Sequence, residues 1–513
     1  MPKKKNITKK AKILLLNPPC RIKVSGNREK YFVRAGSRWP FSVTKKREET
    51  LEYLPFPFYL AYTAALLEQN NFEVEALDSI ALNQTEGEFL KTVSRLKPKI
   101  ILFETSTPTI KKDLLLAKKL KDDFQPIICL AGAHATHFPE KILKKHKSVD
   151  CIFLREYEMN FLNFCLALRH KKGLQDLLGI AYRDKGQIII REGELIDPLD
   201  QLPMPAWHLF PSKEIGDPTL YWDAFCQFKP AVQLHSSRGC PFRCNFCLWN
   251  QVMYQNGKYR TFSPKRIVDE MVYVKNKYGV REVYFDDDTF TGNKRQVLNL
   301  CDEILRRGLK INWSVMGDAM ITDKRMLLKM ARAGCIGMKF GVESGNQKIL
   351  REIGKPINFK RIKSVAKLCA KLHIKTHATF TLGIWSETKK TMAETMDLAK
   401  NLDVDTVQFS INTPFPGTRF YAAAKKRGLL NFNSWEDFDG SASSVVNFEN
   451  ISQKEIEDMY SCASSLWLKH KLKDPTWVLR QTYNFGRLLK GQGVISGLKK
   501  TKRLLELITS KQK

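Results

Sequence analysis

Two successive series of strand and helix patterns constrain the fold of this 513-residue chain more than any other feature. In the first series, continuous apolar runs occupy residues 12–18, 72–79, 99–106, 126–136 and 150–156, and helical patterns separate them. Continuous runs are typical of parallel strands that are buried on both faces. Five such strands with helical crossovers predict a doubly wound, Rossmann-like α/β domain, whose ligands bind at the carboxyl ends of its strands.

The second series begins at Ala231 and contains six strand patterns, each with a helical pattern next to it. Several of these helices end at a glycine, as at Gly279, Gly308 and Gly334, where a left-handed cap is expected. Six strand–helix units predict a (β/α)6 partial TIM barrel. Active sites of such barrels lie at the carboxyl ends of the strands.

The remaining segments complete the predicted domain organisation. We expect a basic tail at 1–11, the Rossmann-like domain at 12–175, a hairpin and linker at 176–230, the barrel at 231–450 and a helical C-terminal extension at 451–513. The last helix carries leucines among lysines, which is typical either of a packing helix or of an amphipathic helix that lies on a membrane surface.

The connection between the first strand and the first helix is unusually long. It runs from about Pro18 to Pro55, whereas such connections usually have about 2–6 residues. It is rich in arginine, lysine and aromatic residues. We therefore expect an ordered cap over the ligand crevice of the first domain.

The chain is strongly basic, with 85 Lys and Arg against 53 Asp and Glu, a net charge of +32. This charge favours anionic partners, but the lysines are spread along helices and do not form one block, which argues against nucleic acid. The sequence contains no apolar run of about 18 residues and no signal-peptide pattern, so we expect a cytoplasmic protein. A reducing compartment argues against a disulfide framework for the 12 cysteines.

One cluster of cysteines stands out directly after the first barrel strand. Cys240, Cys244 and Cys247 have the spacing C-x3-C-x2-C. Three thiolates on one short loop can bind three irons of a 4Fe–4S cube, which leaves the fourth iron open for a ligand. Zinc sites normally add a second ligand pair, and the nearest imidazole, His235, lies on the preceding strand, so zinc is disfavoured. An open position indicates chemistry, as it does at catalytic zinc sites.

Residues 231–450 resemble the radical SAM superfamily in this cysteine spacing and in the aromatic residue, Phe246, before the last cysteine. In that family the open iron binds the amino and carboxylate groups of S-adenosylmethionine (SAM), and one electron cleaves SAM to a 5′-deoxyadenosyl radical. The resemblance implies that the three cysteines bind the cluster and that Phe246 lies beside the adenine. It also implies an external electron donor of the flavodoxin or ferredoxin type.

Further family segments lie at the ends of the predicted barrel strands. The acidic segment after the second strand implies that Asp286 or Asp287 holds the SAM ammonium. The segment at the fourth strand implies that Glu343 and Ser344 contact the ribose and the amino acid part of SAM.

A third segment, residues 383–388, resembles a Gly-x-Pro-Gly-Glu-Thr turn and implies SAM contacts from Gly383 and Glu387. Here Trp385 and Ser386 replace the proline and the second glycine of that turn. Residues 414–418 match the Pro-x-Pro-Gly-Thr turn after the sixth strand.

The first domain resembles the cobalamin-binding domain of one large radical SAM class. Residues 14–19, 55–78 and 132–140 carry this resemblance. It implies a corrin ring at the carboxyl edge of the sheet. The residues at that edge are Thr105, Ser106, Gly132 and His134.

Two departures from the cobalamin-binding pattern are visible. The D-x-H-x-x-G motif that supplies a histidine to cobalt is absent, so cobalamin would bind without that lower ligand. The usual Gly-Glu-Gly-Glu after the fifth strand reads Arg-Glu-Tyr-Glu at residues 155–158.

These resemblances imply a cobalamin-dependent radical SAM methyltransferase that acts on an unactivated carbon or on phosphorus. A radical oxidoreductase, cyclase or carbon–carbon coupling enzyme without cobalamin is the alternative. A nucleic-acid modification enzyme is disfavoured, because the methylthiolating tRNA enzymes carry three further cysteines and a terminal β-barrel. We expect a small molecule or an anionic lipid or glycan precursor as substrate, with peripheral membrane contact. The sequence identifies no residue that acts on the substrate radical.

Overall fold

The computed structural model describes residues 12–25, 28–33, 41–46, 53–255, 258–355, 357–440 and 442–509. Parts of the long connection after the first strand therefore lie outside the described residues.

The first domain contains ten strands and six helices in its described part. The strands are β1 (Lys12–Asn17), β2 (Arg21–Ser25), β3 (Arg28–Val33), β4 (Phe41–Lys46), β5 (Glu73–Asp78), β6 (Ile100–Glu104), β7 (Ile127–Ala131), β8 (Cys151–Phe153), β9 (Ile180–Asp184) and β10 (Gln187–Arg191). The helices are α1 (Phe58–Gln69), α2 (Glu86–Leu96), α3 (Ile110–Phe124), α4 (Ala133–His137), α5 (Pro139–Lys145) and α6 (Glu158–Arg169).

The main sheet of this domain has the order β10-β9-β8-β7-β6-β1-β5. The five strands predicted from apolar runs are parallel, which confirms the doubly wound fold. The hairpin β9–β10, grouped above with the linker, pairs antiparallel with β8 and extends the sheet to Arg191.

The described parts of the long connection form a separate antiparallel sheet, β2-β3-β4. It contacts the second half of the chain: Lys30 forms an ion pair with Asp439 at 3.0 Å, and the Ser42 amide donates to the Asp439 carbonyl. Shortly after β4, the Leu54 carbonyl accepts a hydrogen bond from Gln233 of the barrel.

The barrel and the C-terminal extension follow. The strands are β11 (Ala231–Leu234), β12 (Ser237–Arg238), β13 (Arg260–Thr261), β14 (Glu282–Phe285), β15 (Asn312–Gly317), β16 (Cys335–Glu343), β17 (Lys375–Leu382) and β18 (Thr406–Ile411). The helices are α7 (Pro264–Tyr278), α8 (Lys294–Arg306), α9 (Lys324–Arg332), α10 (Gln347–Glu352), α11 (Phe359–Lys371), α12 (Lys389–Asn401), α13 (Arg419–Lys426), α14 (Gln453–Lys471), α15 (Pro475–Gln492) and α16 (Val494–Thr509).

Six parallel strands in the order β11-β14-β15-β16-β17-β18 form the predicted partial barrel. Local sequence explains the boundaries of its helices. Helix α7 begins at Pro264, where the Ser263 side chain caps the first turn, and it ends at Gly279 with φ of +63°. Gly308 and Gly334 also adopt positive φ, so the predicted glycine caps are confirmed.

The two domains share one apolar core. A single cluster of buried side chains contains Ile13 and Leu15 of β1, Phe58 of α1, Val232 of β11 and Trp313 of β15. The opposite face of the first sheet is covered by α2, α3 and α5, which form a second cluster. The carboxyl ends of both sheets therefore belong to one packed body.

The C-terminal extension is helical, as the sequence predicts. The indole N–H groups of Trp467 and Trp477 donate to the carbonyls of Ala399 and Val404, at 3.1 and 3.0 Å. Arg480 binds the buried Asp405 at 2.8 Å. Among the described residues, no helix combines the length and apolar character that crossing a membrane requires.

Candidate functional site

The three clustered cysteines lie on the loop after β12 and are partly buried. Burial raises the pKa of all three thiols, for Cys244 to about 12. The charges of Cys244 and Cys240 also raise the pKa of Cys247, so the thiols are within electrostatic reach of one another. A cationic iron cluster would hold them as thiolates, since bound metal lowers the pKa of a thiol.

Within the described ranges, no three His, Cys, Asp or Glu side chains converge closely enough to bind one metal ion. In a 4Fe–4S cube each thiolate binds a different iron, which does not require such convergence. The donor set on this loop, three thiols and no fourth ligand in the motif, fits such a cluster.

Hydrogen bonds from outside the cysteine motif fix the shape of this loop. The side-chain amide of Gln251 donates to the carbonyls of Cys244, Asn245 and Cys247 at 2.9–3.2 Å. Gln251 lies in a π-helical turn, Trp249–Met253, directly after the motif. At the other end, Gly239 has φ of +90°, and a Cβ there would lie 2.3 Å from the Lys258 carbonyl oxygen. The loop therefore needs glycine at this position.

The acidic segment after β14 forms hydrogen bonds with the cysteine loop and with the residues that precede it. Both carboxylate oxygens of Asp287 accept hydrogen bonds from Ser236 and Ser237, which precede the loop. Asp288 accepts from the Gly239 amide at 3.0 Å, and the Thr289 hydroxyl donates to the Cys240 sulfur at 3.0 Å.

The two acids assigned to SAM by resemblance thus have protein partners. Asp287 is fully buried, and burial raises its pKa to about 7. The Asp286 carboxylate accepts a hydrogen bond from the Tyr53 hydroxyl at 2.8 Å, a contact between the end of the long connection and the barrel mouth.

Glu343 ends β16 in the left-handed region, with φ of +66°. Its carboxylate accepts from the Lys355 ammonium at 2.8 Å and from the Thr381 hydroxyl at 2.7 Å. Burial by itself lowers the pKa of Lys355, but Glu343 and Asp318 together raise it, so this lysine is charged. The segment that contains Lys355 contacts the cysteine loop, since the Ile353 carbonyl accepts from the Asn245 amide at 2.9 Å, and Lys355 lowers the pKa of Cys244. The left-handed backbone conformation of Glu343 is one that non-glycine residues often adopt at functional sites.

Two other SAM residues predicted by resemblance have different surroundings. Ser344 is fully buried, lies 3.2 Å from the Thr395 hydroxyl and accepts from the Asn346 amide, so it supports the turn after β16. Phe246 is half-buried and packs against the shared core.

The turn after β17, which contains Trp385 and Ser386, has left-handed backbone angles at two positions. Gly383 has φ of +73°, and Ser386 has φ of +60°, a conformation that glycine adopts at no cost. The Glu387 carboxylate accepts hydrogen bonds from the amides of Gly383 and Ile384. Serine at this position therefore carries modest backbone strain.

Burial raises the pKa of Glu387 to about 8, although its two amide hydrogen bonds act in the opposite direction. Folding therefore favours the protonated carboxyl. The contribution of Glu387 to the free energy of unfolding is complete below about pH 4.3, the pKa of glutamate in the unfolded chain. This contribution is lost as the pH rises through about 8, the pKa of Glu387 in the folded protein.

We expect a Glu387→Gln variant, which keeps the neutral acceptor, to lose less stability than the parent between about pH 5 and pH 9. The difference should be on the order of 1–3 kcal/mol at the alkaline end. Thermal unfolding at several pH values measures it. Glu352→Gln, an exposed position, is the matched control, and equal pH slopes for parent and Glu387→Gln would contradict the assignment.

Unpaired polar atoms collect after β17 and β18. The second Glu387 oxygen, the Asn412 amide nitrogen and the Thr413 hydroxyl are buried and have no hydrogen-bond partner among the described residues. Such groups are costly unless a ligand or water satisfies them. A polar ligand at the barrel mouth, such as SAM, fits these groups.

The carboxyl edge of the first sheet contains the residues assigned to cobalamin. The Thr105 hydroxyl is buried and has no partner in the described part of the chain. A Cβ at Gly132 would lie 2.1 Å from the Thr105 carbonyl oxygen, so close strand packing explains this glycine. The Thr109 hydroxyl accepts a hydrogen bond from the Ser106 amide at 3.1 Å and lies 3.1 Å from the Ser106 hydroxyl. The unpaired Thr105 hydroxyl fits a ligand at this edge.

His134 lies at the same edge, with its Nδ1 3.1 Å from the Thr107 hydroxyl. Burial lowers the pKa of His134 to about 3, helped by His137 and Lys141, so the ring is neutral. Its ring also packs edge-on against Trp435.

The altered Gly-Glu-Gly-Glu segment takes part in a buried ion cluster between the domains. Glu156 accepts two hydrogen bonds from Arg260, both at 2.7 Å, and lies 3.3 Å from Arg238. Arg238 also donates to Glu158 at 2.5 Å, and both side chains of this pair have zero exposure. Arg238 lies two residues before Cys240, so this cluster connects α6 to the cysteine loop.

The residues missed by the sequence predictions are Gln251, Thr289, Lys355 and the arginine pair of the ion cluster. Each contacts a residue of the cysteine loop or of a segment identified by resemblance, but the sequence assigned a role to none of them. Lysines and arginines are common in this chain, so no sequence signal separated these from the rest.

Of three sequence relatives, two are named methyltransferases and one is named a cyclase. The chain is 27% identical to an uncharacterized methyltransferase of Pyrococcus horikoshii, over 81% of this chain and 88% of the relative. It is 26% identical to the cytidylyl-2-hydroxyethylphosphonate methyltransferase of Streptomyces wedmorensis, over 73% and 79%. It is also 26% identical to an anaerobic magnesium-protoporphyrin IX monomethyl ester cyclase of Rubrivivax gelatinosus, over 70% and 64%.

Solved structures share the fold. The radical SAM methyltransferase TsrM of Kitasatospora setae, with tryptophan and a SAM analogue bound, superposes with a TM-score of 0.65 at 15% identity, over 83% of this chain and 77% of that protein.

Residues 234–399 match the radical SAM superfamily. This match includes all three cysteines of the loop and the segments after β14, β16 and β17. Residues 234–399 therefore form a radical SAM domain of the kind found in iron–sulfur enzymes, and a Rossmann-like domain precedes the partial barrel.

Proposed function

We propose that this enzyme is a cobalamin-dependent methyltransferase that uses SAM both as radical source and as methyl donor. The cysteine loop carries the proposal, because its three thiols bind a cluster with one open iron. The unpaired Thr105 hydroxyl at the edge of the first sheet supports a second cofactor there. The methyltransferase names of two relatives, and the fold shared with TsrM, also support it.

When bound, the cluster supplies an electron to SAM, and cobalamin supplies a carrier for the methyl group. The protein's own residues position these groups. Gln251, Asp288 and Thr289 fix the cysteine loop, and charged Lys355 lies beside Cys244, where it favours anionic groups such as thiolates or the SAM carboxylate. An external low-potential protein would supply the electron.

A radical cyclase or oxidoreductase is the second candidate, because one relative is named a cyclase. This candidate needs the cluster and SAM but no methyl transfer. The two candidates therefore differ in their SAM products. Reductive cleavage yields 5′-deoxyadenosine, whereas methyl donation yields S-adenosylhomocysteine.

The test is anaerobic. The full chain is reconstituted with iron and sulfide, incubated with hydroxocobalamin, desalted and supplied with SAM and dithionite. Bound corrin is measured by absorbance and both SAM products by mass spectrometry. We expect corrin to remain bound, 5′-deoxyadenosine to form, and S-adenosylhomocysteine to form in corrin-loaded protein alone.

A Thr105→Val variant should retain several-fold less corrin and leave 5′-deoxyadenosine formation unchanged, whereas Thr63→Val, at a buried threonine of α1, should match the parent. Formation of 5′-deoxyadenosine without corrin retention would replace the methyltransferase by the second candidate. Absence of 5′-deoxyadenosine would contradict both.

A further inference from the structure

The C-terminal helices expose an unusual amount of apolar surface. Sixteen large apolar side chains are well exposed in the described chain, and nine of them lie between Leu472 and Leu505. Ile495 and Leu479 are the most exposed, at 73% and 72%. Single exposed apolar residues are ordinary, but a concentration of this kind marks an interaction surface.

Helical spacing places several of these side chains together. Leu479 and Tyr483 are four residues apart on α15, and Val494 and Leu498 are four residues apart on α16. The two helices contact each other closely, since a Cβ at Gly497 would lie 2.6 Å from the Leu489 side chain. We call the side chains of Leu479, Tyr483, Val494, Ile495 and Leu498 the apolar face.

The same segment is strongly cationic. Residues 472–513 contain ten Lys and Arg against two Asp and Glu. A cavity of about 460 Å³ at the junction of α15 and α16 is lined by Lys229, Arg281 and Lys490, among others. Apolar side chains beside clustered cations are complementary to an anionic bilayer, where the first enter the interface and the second meet phosphate groups.

The attachment of α15 fixes which end of the barrel carries this face. Trp477 and Arg480 bind Val404 and Asp405, which directly precede β18. The Gly491 carbonyl accepts from the Lys229 amide, just before β11 begins. The helix therefore lies at the amino ends of the barrel strands, opposite the mouth with the cysteine loop.

We propose that the apolar face docks the enzyme onto an anionic membrane surface, with the barrel mouth directed away from the bilayer. A surface at the far end of the barrel can bind a membrane without covering the site where SAM and substrate enter. The proposal does not depend on which radical reaction the enzyme performs.

Flotation of the full chain with vesicles tests it. The vesicles contain phosphatidylcholine alone or with about 30% phosphatidylglycerol, at about 0.1 M and about 0.5 M salt. We expect binding to the anionic vesicles at low salt and much weaker binding in the other conditions. Ile495→Glu/Leu498→Glu should weaken partitioning at least about tenfold, and neutralising the exposed Lys490 and Lys502 to Gln should weaken it about fivefold per charge.

Leu115→Glu, at an exposed leucine of α3 in the first domain, is the matched control and should bind like the parent. Circular dichroism and the rate of SAM cleavage confirm that each variant is folded. Failure of the parent to bind anionic vesicles would overturn the proposal. Equal binding by the parent and Ile495→Glu/Leu498→Glu would also overturn it. So would a stable dimer in light scattering that these substitutions dissociate, because the face would then join two copies of the chain.

Discussion

A Cys247→Ala variant is expected to lose the iron–sulfur absorbance after reconstitution and to form no 5′-deoxyadenosine above the enzyme-free background. The motif supplies three thiols for three irons and leaves the fourth iron open, so removal of one thiol leaves two irons without a protein ligand. Iron content, visible absorbance and product mass measure the effect.

The matched control is Cys462→Ala. Cys462 is partly exposed, like the motif cysteines, but it lies on α14 outside the barrel. We expect this variant to retain iron and SAM cleavage at the level of the parent. Loss of activity in both variants would indicate general damage from cysteine removal, and full activity of Cys247→Ala would refute the cluster assignment.

The second large effect concerns stability. An Arg238→Met variant keeps the apolar stem of the side chain but leaves Glu158 buried without its charged partner. Breaking a buried pair on one side costs about 3–5 kcal/mol, because the remaining charge is uncompensated. Burial already raises the pKa of Glu158, whereas Arg238 lowers it, so the variant should protonate this carboxyl. Urea unfolding followed by tryptophan fluorescence measures the loss.

Two further variants separate charge from packing. Arg238→Met/Glu158→Gln removes the stranded charge and should recover part of the stability. Arg95→Met breaks the exposed ion pair with Glu214 and should change stability little. If Arg238→Met were no more destabilising than Arg95→Met, the ion cluster would contribute little to the cohesion of the two domains.

The fold could be predicted because its signals are local. Continuous apolar runs identified the five parallel strands, six strand–helix units identified the partial barrel, and glycines marked helix ends at Gly279, Gly308 and Gly334. The pairing of the β9–β10 hairpin with β8 was not predicted, because a turn signal identifies a hairpin but not the sheet edge that it joins.

The candidate site could be predicted only in part. The three cysteines are adjacent in sequence, so spacing revealed them. Contacts such as Tyr53 with Asp286, or Arg238 with Glu158, join residues that are 233 and 80 positions apart, and a single sequence carries no record of such pairs. The turn at residues 383–388 could not be judged from sequence either. Ser386 stands where the family turn has glycine, but its φ of +60° lies in the left-handed region that favours glycine.

The buried ion cluster has a consequence for how this chain can change over generations. Its two acids come from the first domain and its two arginines from the segment around the cysteine loop, so neither pair is tolerated alone in the shared apolar core. Recombination that exchanges the first domain for that of a distant relative would strand charges on both sides of the new junction. Substitutions at positions 156, 158, 238 and 260 are therefore expected to be tolerated only in combination.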